Sequence, residues 1–463
     1  MHFETGSTPA STTKGSTETG PWHQGLTRYH WFVLVVASLG WLFDTMDQQL
    51  FNLARRPAIT ELLGATPGDP AMAGIIAEYA GYTTAIFMIG WAIGGLLFGI
   101  MGDRIGRART MLFTILVYSL FTGLSALSVG VWDFAAYRFL TGLGVGGEFA
   151  VGVALVAEVM PERARPFALG WLQATSAFGN MGAALIGITL GQLERAGSID
   201  SSWRIMFVVG AVPALLAIVI RRRLKEPERW TRVHDAPEHQ KLGSLGEMFH
   251  DPRWRHHAVV GMFLAFAGVV GLWGIGFFSF DLMGSVLDKT FRGQGLDPQE
   301  IAGRKTTWTG ITSLLQNFGA FWGIYAFSKV THYIGRRPAF AISFVTAMIS
   351  TAVTFLYLKD FSDIFWMIPI MGFCQISLFG GYAIYFPELF PTRLRSTGTS
   401  FCYNVGRLVA ALGPLTLGLL TSRVYAGYDE PMRYAGVTMC AVFIIGLLAL
   451  PFAPETRGKP LPE

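Results

Sequence analysis

The sequence predicts an all-α membrane protein. Twelve transmembrane helices would form two six-helix halves about a pseudo-two-fold axis, with both termini cytoplasmic. Three observations predict it. Of the 463 residues, 51% are hydrophobic and only 14% charged, with a mean hydropathy of +0.42; soluble domains carry roughly 25% charged residues. Apolar runs approaching the ~20 residues needed to span a bilayer recur along the chain. Landmarks in the first half also reappear in the second at a nearly constant offset. The shortage of charge excludes soluble enzymes, nucleic-acid binders and disordered scaffolds. The net charge of +5 therefore points to basic loops that orient a membrane protein, with no nucleic-acid partner. The runs are continuous rather than alternating, which excludes a β-barrel. The 55 glycines suit close helix packing.

Residues 1–27 are rich in Ser, Thr and Gly and read as a disordered cytoplasmic tail. The apolar runs follow at 31–52, 75–101, 109–130, 133–157, 165–192, 203–221, 257–284, 306–328, 338–358, 362–386, 396–422 and 433–453. Of the 36 Lys and Arg, 23 fall in even-numbered connections and the two tails, and 11 in odd-numbered connections. That bias places both termini inside. Residues 28–221 are the N-terminal half, 222–256 a basic cytoplasmic linker, 257–453 the C-terminal half and 454–463 a cytoplasmic tail. Cys374, Cys402 and Cys440 sit in apolar runs and read as small hydrophobes. No metal site, phosphate loop, cofactor site or catalytic constellation is legible.

The halves read as a duplication. A-E-V-M-P-E-R-A-R (Ala157 to Arg165) matches P-E-L-F-P-T-R-L-R (Pro387 to Arg395) at an offset of 230. D-R-I-G-R (Asp103 to Arg107) matches H-Y-I-G-R-R (His332 to Arg337) at 229, and P-E-R (Pro227 to Arg229) matches P-E-T-R (Pro454 to Arg457) at 227. Parallel repeats place a binding site near the midplane, between the halves.

Gly99, Asp103, Arg104, Gly106 and Arg107 form G-x-x-x-D-R-x-G-R, and Arg138, Gly142, Gly144 and Gly146 form R-x-x-x-G-x-G-x-G. In these motifs the chain resembles the major facilitator superfamily over residues 28–460. The P-E-R-W and P-E-T-R-G ends resemble its sugar porters. Tyr385 to Gly398, Tyr403 to Arg407 and Gly144 to Phe149 are similar to metabolite:proton and sialate-type symporters. Phe43 to Asp47 is similar to an aromatic-acid symporter motif, with Thr45 where that motif has Gly. The resemblance implies a multi-pass cell-membrane transporter of a small molecule. It also implies that the D-R-x-G-R loop latches one conformation.

The candidate gating residues complete this set. Arg138 closes the helix 4 motif. Glu158, Arg163, Arg165, Glu388, Arg393 and Arg395 lie at helix ends, where ion pairs could break and re-form. Glu228 and Glu455 join the same network. Charges inside the membrane are costly unless compensated. Arg407, about eleven residues into its run, needs an anion: a substrate carboxylate or a fixed Asp or Glu. Glu148 is a candidate proton carrier, or is held by hydrogen bonds or by Arg138. Asp44 and Asp47 share a helix face and suit proton coupling, or pair with Arg55 and Arg56 at the outer mouth. Every His falls in a tail, loop or helix end, and no Lys lies inside a run. Asp or Glu must therefore carry any coupled proton. Gln173, Gln316, Gln375 and Asn404 could line a pocket, as could Asn180 and Asn317, or could join helices. Trp273 could stack on a substrate ring.

These features predict a monomeric secondary active transporter that works by alternating access. Its partners are a small-molecule substrate, protons and the lipid bilayer. The substrate is a small polar metabolite, with an organic acid first and a sugar second. An uncoupled facilitator, a proton-driven exporter and a non-transporting receptor are the alternatives.

Overall fold

A computed structural model describes residues 21–65, 72–236, 242–276, 279–296, 298–410 and 413–463. The described residues contain helices and no strand. In chain order the helices are α1 (Arg28–Leu62), α2 (Ala73–Arg104), α3 (Arg107–Ser125), α4 (Val131–Val159), α5 (Arg165–Arg195), α6 (Ser202–Gly210), α7 (Ala214–Arg223), α8 (Glu228–His234) and α9 (Leu245–His250). They continue as α10 (Pro252–Val269), α11 (Ser279–Gly293), α12 (Pro298–Ile334), α13 (Arg336–Tyr357), α14 (Ile364–Leu389), α15 (Arg395–Ala410), α16 (Gly413–Leu419), α17 (Pro431–Met439) and α18 (Val442–Ala449).

Local sequence explains the punctuation. Thr27 and His30 form a reciprocal capping box at the start of α1. Gly106 and Gly335 break α2 from α3 and α12 from α13. They adopt φ of 111° and 98°, a region that residues with a Cβ rarely enter. The run 203–221 is not one helix, because Pro213 separates α6 from α7. The run 257–284 passes through a π-helical turn at Val270–Ile275. The run 396–422 contains α15 and α16, on either side of residues 411–412, which lie outside the described residues, and ends in a second π turn at Leu420–Val424.

Nine helices among the described residues are long and apolar enough to cross a bilayer. The expected runs 165–192, 306–328 and 396–422 are not among them. In the first two, amides lower the hydropathy: Gln173 and Asn180, and Gln316 and Asn317; in the third, the helix described before residues 411–412 is Arg395–Ala410, only 16 residues. All three belong to helices that border the cavity described below.

Within the first part of the chain α2 and α3 pack on α4, and α1 on α5. In the second, α12 and α13 pack on α14, and α10 on α15. Two seams join the parts, α2 against α15 and α5 against α12. The connecting residues are not a free linker. The Trp230 indole donates to the Asp103 carbonyl at 2.7 Å, and the Gly243 N–H donates to the Arg393 carbonyl at 2.9 Å. Residues 1–20 of the expected tail lie outside the described residues. Trp22 packs on the bundle, stacked on Phe167 at 5.7 Å.

Candidate functional site

A cavity of about 990 Å³ lies between α1, α5, α11, α12, α14 and α15. Its deep end is lined by Trp41, Gln173, Phe379, Tyr403 and Arg407, and its lining extends to Arg56, Glu194, Asp288 and Arg292. Trp41 and Arg56 are fifteen residues apart on α1, or ~22 Å at 1.5 Å per residue. The cavity thus runs from mid-bundle to the end opposite the D-R-I-G-R loop.

The D-R-I-G-R end is closed. Asp103 caps α15 across the α2–α15 seam. One of its oxygens accepts from the Ser396 N–H at 3.1 Å, and the other from the Thr397 N–H at 2.9 Å and the Thr397 hydroxyl at 2.6 Å. These are the second and third residues of α15, where N–H groups lack helical partners. Arg107 lies 3.0 Å from Asp103 and 2.8 Å from Glu158. Arg395 crosses the seam to the same Glu158 oxygen at 2.7 Å. Arg336 makes a two-nitrogen contact with Glu388, at 2.9 and 3.0 Å. Arg393 pairs with Glu247 of α9 rather than with a bundle helix. Arg104 donates to the Leu242 carbonyl at 3.3 Å, and Arg163 is half-buried at the α4–α5 corner.

One expected gating residue lies elsewhere. Glu228 is exposed and reaches only Arg232, 3.4 Å away on its own helix. Its expected role falls to Glu226, whose carboxylate accepts from the Ala108 and Arg109 N–H groups at 3.1 and 3.0 Å. Glu455 caps α13 in the same way, through the Arg336 and Arg337 N–H groups at 3.0 and 3.1 Å. Glu226 and Glu455 are 229 residues apart, the offset of Gly106 and Gly335. Repetition of P-E-R points to Glu228, whereas the contact at the Gly106 turn is made by Glu226. Burial works against the Glu455 charge, but the Arg336, Arg457 and Arg337 N–H groups outweigh it and hold its pKa below the usual carboxylate range.

The charged residues inside the bundle fall into two groups. Asp47 faces Arg138 at 3.7 Å and accepts from the Thr122 hydroxyl at 2.8 Å. Arg138 therefore serves Asp47 and not Glu148, and Asp47 does not look to Arg55 or Arg56. The second group is Asp44, Glu148 and Arg407. Asp44 is fully buried and accepts from Gln48 at 3.4 Å. Glu148 accepts from the Thr114 hydroxyl at 2.6 Å, and its other oxygen has no partner among the described residues. Gly40 makes room for that oxygen, since a Cβ there would collide with it. Arg407 lies between the rings of Trp91 and Tyr403, 3.7 and 4.3 Å from their centroids. Its Nε has no hydrogen-bond partner among the described residues, and Asp44 lies within electrostatic reach.

Gln173, Gln316 and Trp273 line the cavity, as do Asn180 and Asn317, which bond to each other across the α5–α12 seam at 3.0 Å. Two expected lining residues do not reach it. Gln375 donates to the Gly271 carbonyl at 3.0 Å and fastens α14 to the first π turn. Asn404 donates to the Ser400 carbonyl and hydroxyl, both at 3.0 Å, and packs on Gly95. Sequence reasoning missed Gln48 and Trp41 in the lining, and Trp91 against Arg407. Gln48 carried a signal, one turn from Asp44. Trp91 carried none, because its contact is made across the seam.

Comparison with known proteins places this geometry. The Major Facilitator Superfamily model matches residues 37–414. A Haemophilus influenzae protein that bears the name of a metabolite transport protein is 30% identical, over 94% of this chain and 98% of its own. The cis,cis-muconate transport protein of Acinetobacter baylyi is 30% identical over 82% of this chain and 86% of its own. The solved structure of the proton:xylose symporter XylE bound to 6-bromo-6-deoxy-D-glucose has the same fold, with a TM-score of 0.69 at 18% identity, covering 94% of this chain and 98% of that one. An apolar helical bundle with a latched end, an opposed cavity and relatives spanning nearly its whole length therefore belongs to the major facilitator superfamily, as a multi-pass cell-membrane transporter of small molecules and not an enzyme.

Proposed function

We propose that this transporter is a proton-coupled symporter of a small organic acid. Arg407 carries the reading. It is a cation at the deep end of a cavity, with one nitrogen unsatisfied and a buried carboxyl, Asp44, in its field. A substrate carboxylate supplies the missing anion. Gln173, Gln316, Asn180 and Asn317 line the walls and suit hydroxyl, amide or carbonyl groups on the rest of the cargo. Trp41 and Trp273 offer faces to a flat body.

Charge competition provides the coupling. An ionised Asp44 competes with the substrate for Arg407. A proton taken up by Asp44 frees the guanidinium for the substrate anion. Glu148, in electrostatic reach of Asp44, is the second proton carrier. Asp47, held by Arg138 and Thr122, is the third carboxylate and the most fixed. Twelve spans in two halves, 28–221 and 257–453, rock about the site while 222–256 holds them together at the cytoplasmic face. Both termini are cytoplasmic and the working unit is a monomer. The closed D-R-I-G-R end is then the cytoplasmic one, and the conformation is outward-facing.

Uptake into proteoliposomes tests this, with and without an imposed pH gradient, using nicotinate, cis,cis-muconate, nicotinamide and xylose. The carboxylates accumulate under an inward proton gradient and Arg407→Gln abolishes their uptake. Uptake of xylose alone would move the assignment to the sugar reading, which the amide-rich walls also support. Glu148→Gln retains exchange and loses pH-driven accumulation. Accumulation that survives it removes Glu148 from the coupling. Carboxylate uptake with no accompanying proton movement makes the protein a facilitator.

A further inference from the structure

The α2–α15 seam is a ladder with one rung per helical turn. On α2 the rungs are Asp103, Gly99, Gly95 and Trp91, four residues apart. On α15 they are Thr397, Ser400, Asn404 and Arg407. Asp103 binds the first turn of α15. A Cβ on Gly99 would meet Ser400, and one on Gly95 would meet the Asn404 amide, so two glycines bring the backbones together. At the top, Trp91 covers one face of the Arg407 guanidinium at 3.7 Å, and Tyr403 lies against it at 4.3 Å. The two aromatic partners differ in where they are anchored. Tyr403 is on α15 with Arg407 and stays with it. Trp91 is anchored to α4, where Cβ atoms on Gly142 and Gly146 would strike its backbone N–H and carbonyl. It is 4% exposed.

We infer that Trp91 is a positioning residue that makes the anion affinity of Arg407 depend on the conformation. The inference rests on the proposal that Arg407 binds a substrate carboxylate. While this end is closed, Trp91 and Tyr403 fix the plane of the guanidinium and present its N–H edge to the cavity. A planar carboxylate approaches that edge in its own plane. When Asp103 leaves α15, the ladder opens from the bottom. α15 carries Arg407 and Tyr403 away, and α4 keeps Trp91. The guanidinium then loses one stacked face and its fixed orientation, and the anion is released on the newly opened side.

The test measures the KM for nicotinate and for cis,cis-muconate on both faces, in right-side-out and inside-out vesicles. In the wild type, the KM at the face where the cavity opens is about tenfold lower than at the other, as expected for loss of a desolvated cation–π contact. Trp91→Leu raises the first KM about tenfold, leaves the second unchanged and keeps Vmax within about threefold. Trp91→Phe, which keeps a ring, restores most of the asymmetry. A purely structural role would lower Vmax or protein yield, and Phe would rescue neither KM selectively. Equal KM changes on both faces, or a Leu variant as asymmetric as the wild type, overturn the inference. If those results accompany loss of uptake in Arg407→Gln, only the role of Trp91 fails. If the wild type takes up neither carboxylate, the organic-acid reading fails and this inference fails with it.

Discussion

The two copies of the repeated helix-end motif share their landmark residues and pair differently. In the first, Glu158 binds Arg107 of its own part of the chain and Arg395 of the other, at 2.8 and 2.7 Å. In the second, Glu388 binds Arg336 at 2.9 Å and the Thr456 hydroxyl at 2.6 Å, both on its own side. Arg165, the counterpart of Arg395, makes the equivalent helix-end bond, to the Ala157 carbonyl at 2.9 Å where Arg395 donates to the Pro387 carbonyl at 3.0 Å, but it feels Glu388 only through its field. Asp103 caps α15, whereas His332, its counterpart, packs its ring on Phe167 at 5.2 Å. The first copy crosses between the two parts by an ion pair and a helix cap, and the second by an aromatic contact. Duplication supplied the parts, and the acid-to-histidine difference between Asp103 and His332 removes the helix cap from the second copy. A transporter needs at least one such seam that can let go.

The largest effects should come from the shared carboxylate. Glu158→Gln leaves the Arg395 guanidinium buried without its anion and leaves Arg107 with Asp103 alone. Breaking a buried pair from one side costs about 3–5 kcal/mol. Thermal unfolding in detergent should fall steeply and uptake should be nearly lost. Glu388→Gln strands Arg336 but breaks no ion pair between the two parts of the chain, and its effect should be clearly smaller. Equal losses would erase the distinction between the copies. His332→Asp restores the missing acid. The new carboxylate would stand within reach of Arg336, Arg457 and Arg163 near the start of α5. A charge of that sign near a helix N-terminus is worth up to about 1 kcal/mol. The variant should be more heat-stable and turn over about fivefold more slowly. Faster turnover would show that the second seam does not limit opening.

Much of the fold was legible because lipid leaves few options: an apolar run of sufficient length is a helix. Two of the runs that failed the simple test, 165–192 and 306–328, failed for a physical reason. Their helices face a polar cavity, so composition dilutes the signal that marks lipid-facing neighbours. The D-R-x-G-R loop was legible because its features are local: the turn at Gly106 and the charge of Asp103 lie three residues apart. The identity of the partners was not. Arg138 with Asp47, Arg395 with Glu158 and Trp91 with Arg407 are separated by 91, 237 and 316 positions. Sequence gives no distance between helices, only the face on which a residue lies. For the same reason Gln375 and Asn404 had the right residue type and depth, yet their amides turn toward neighbouring backbone.

The helix caps give a smaller and pH-dependent comparison. Glu455→Gln should cost about 1 kcal/mol at neutral pH, the usual worth of a cap, reduced by partial exposure. The pKa of Glu455 is depressed in the folded protein. Its contribution is therefore complete above the ordinary glutamate value of ~4.3 and is lost as pH falls through the lower folded value. Thermal midpoints of wild type and Glu455→Gln should differ at pH 7 and converge as pH falls below about 4. A difference that persists under acid would assign the effect to packing rather than to charge.

The smallest effect separates two neighbouring glutamates. Glu226 and Glu228 sit on either side of Pro227, and repetition of the P-E dipeptide selects Glu228. Geometry selects Glu226, which fills the space beside Gly106 that a Cβ would need. Glu228→Ala removes only an exposed pair with Arg232, so stability and uptake should stay within about 0.5 kcal/mol of wild type. Glu226→Ala uncovers the Ala108 and Arg109 N–H groups and should cost about 1 kcal/mol. Because the first copy carries the crossing latch, that loss should also appear as altered transport, whereas Glu455→Ala should lower stability with little change in rate. If Glu455→Ala slows transport as much as Glu226→Ala does, the second copy is part of the moving seam after all.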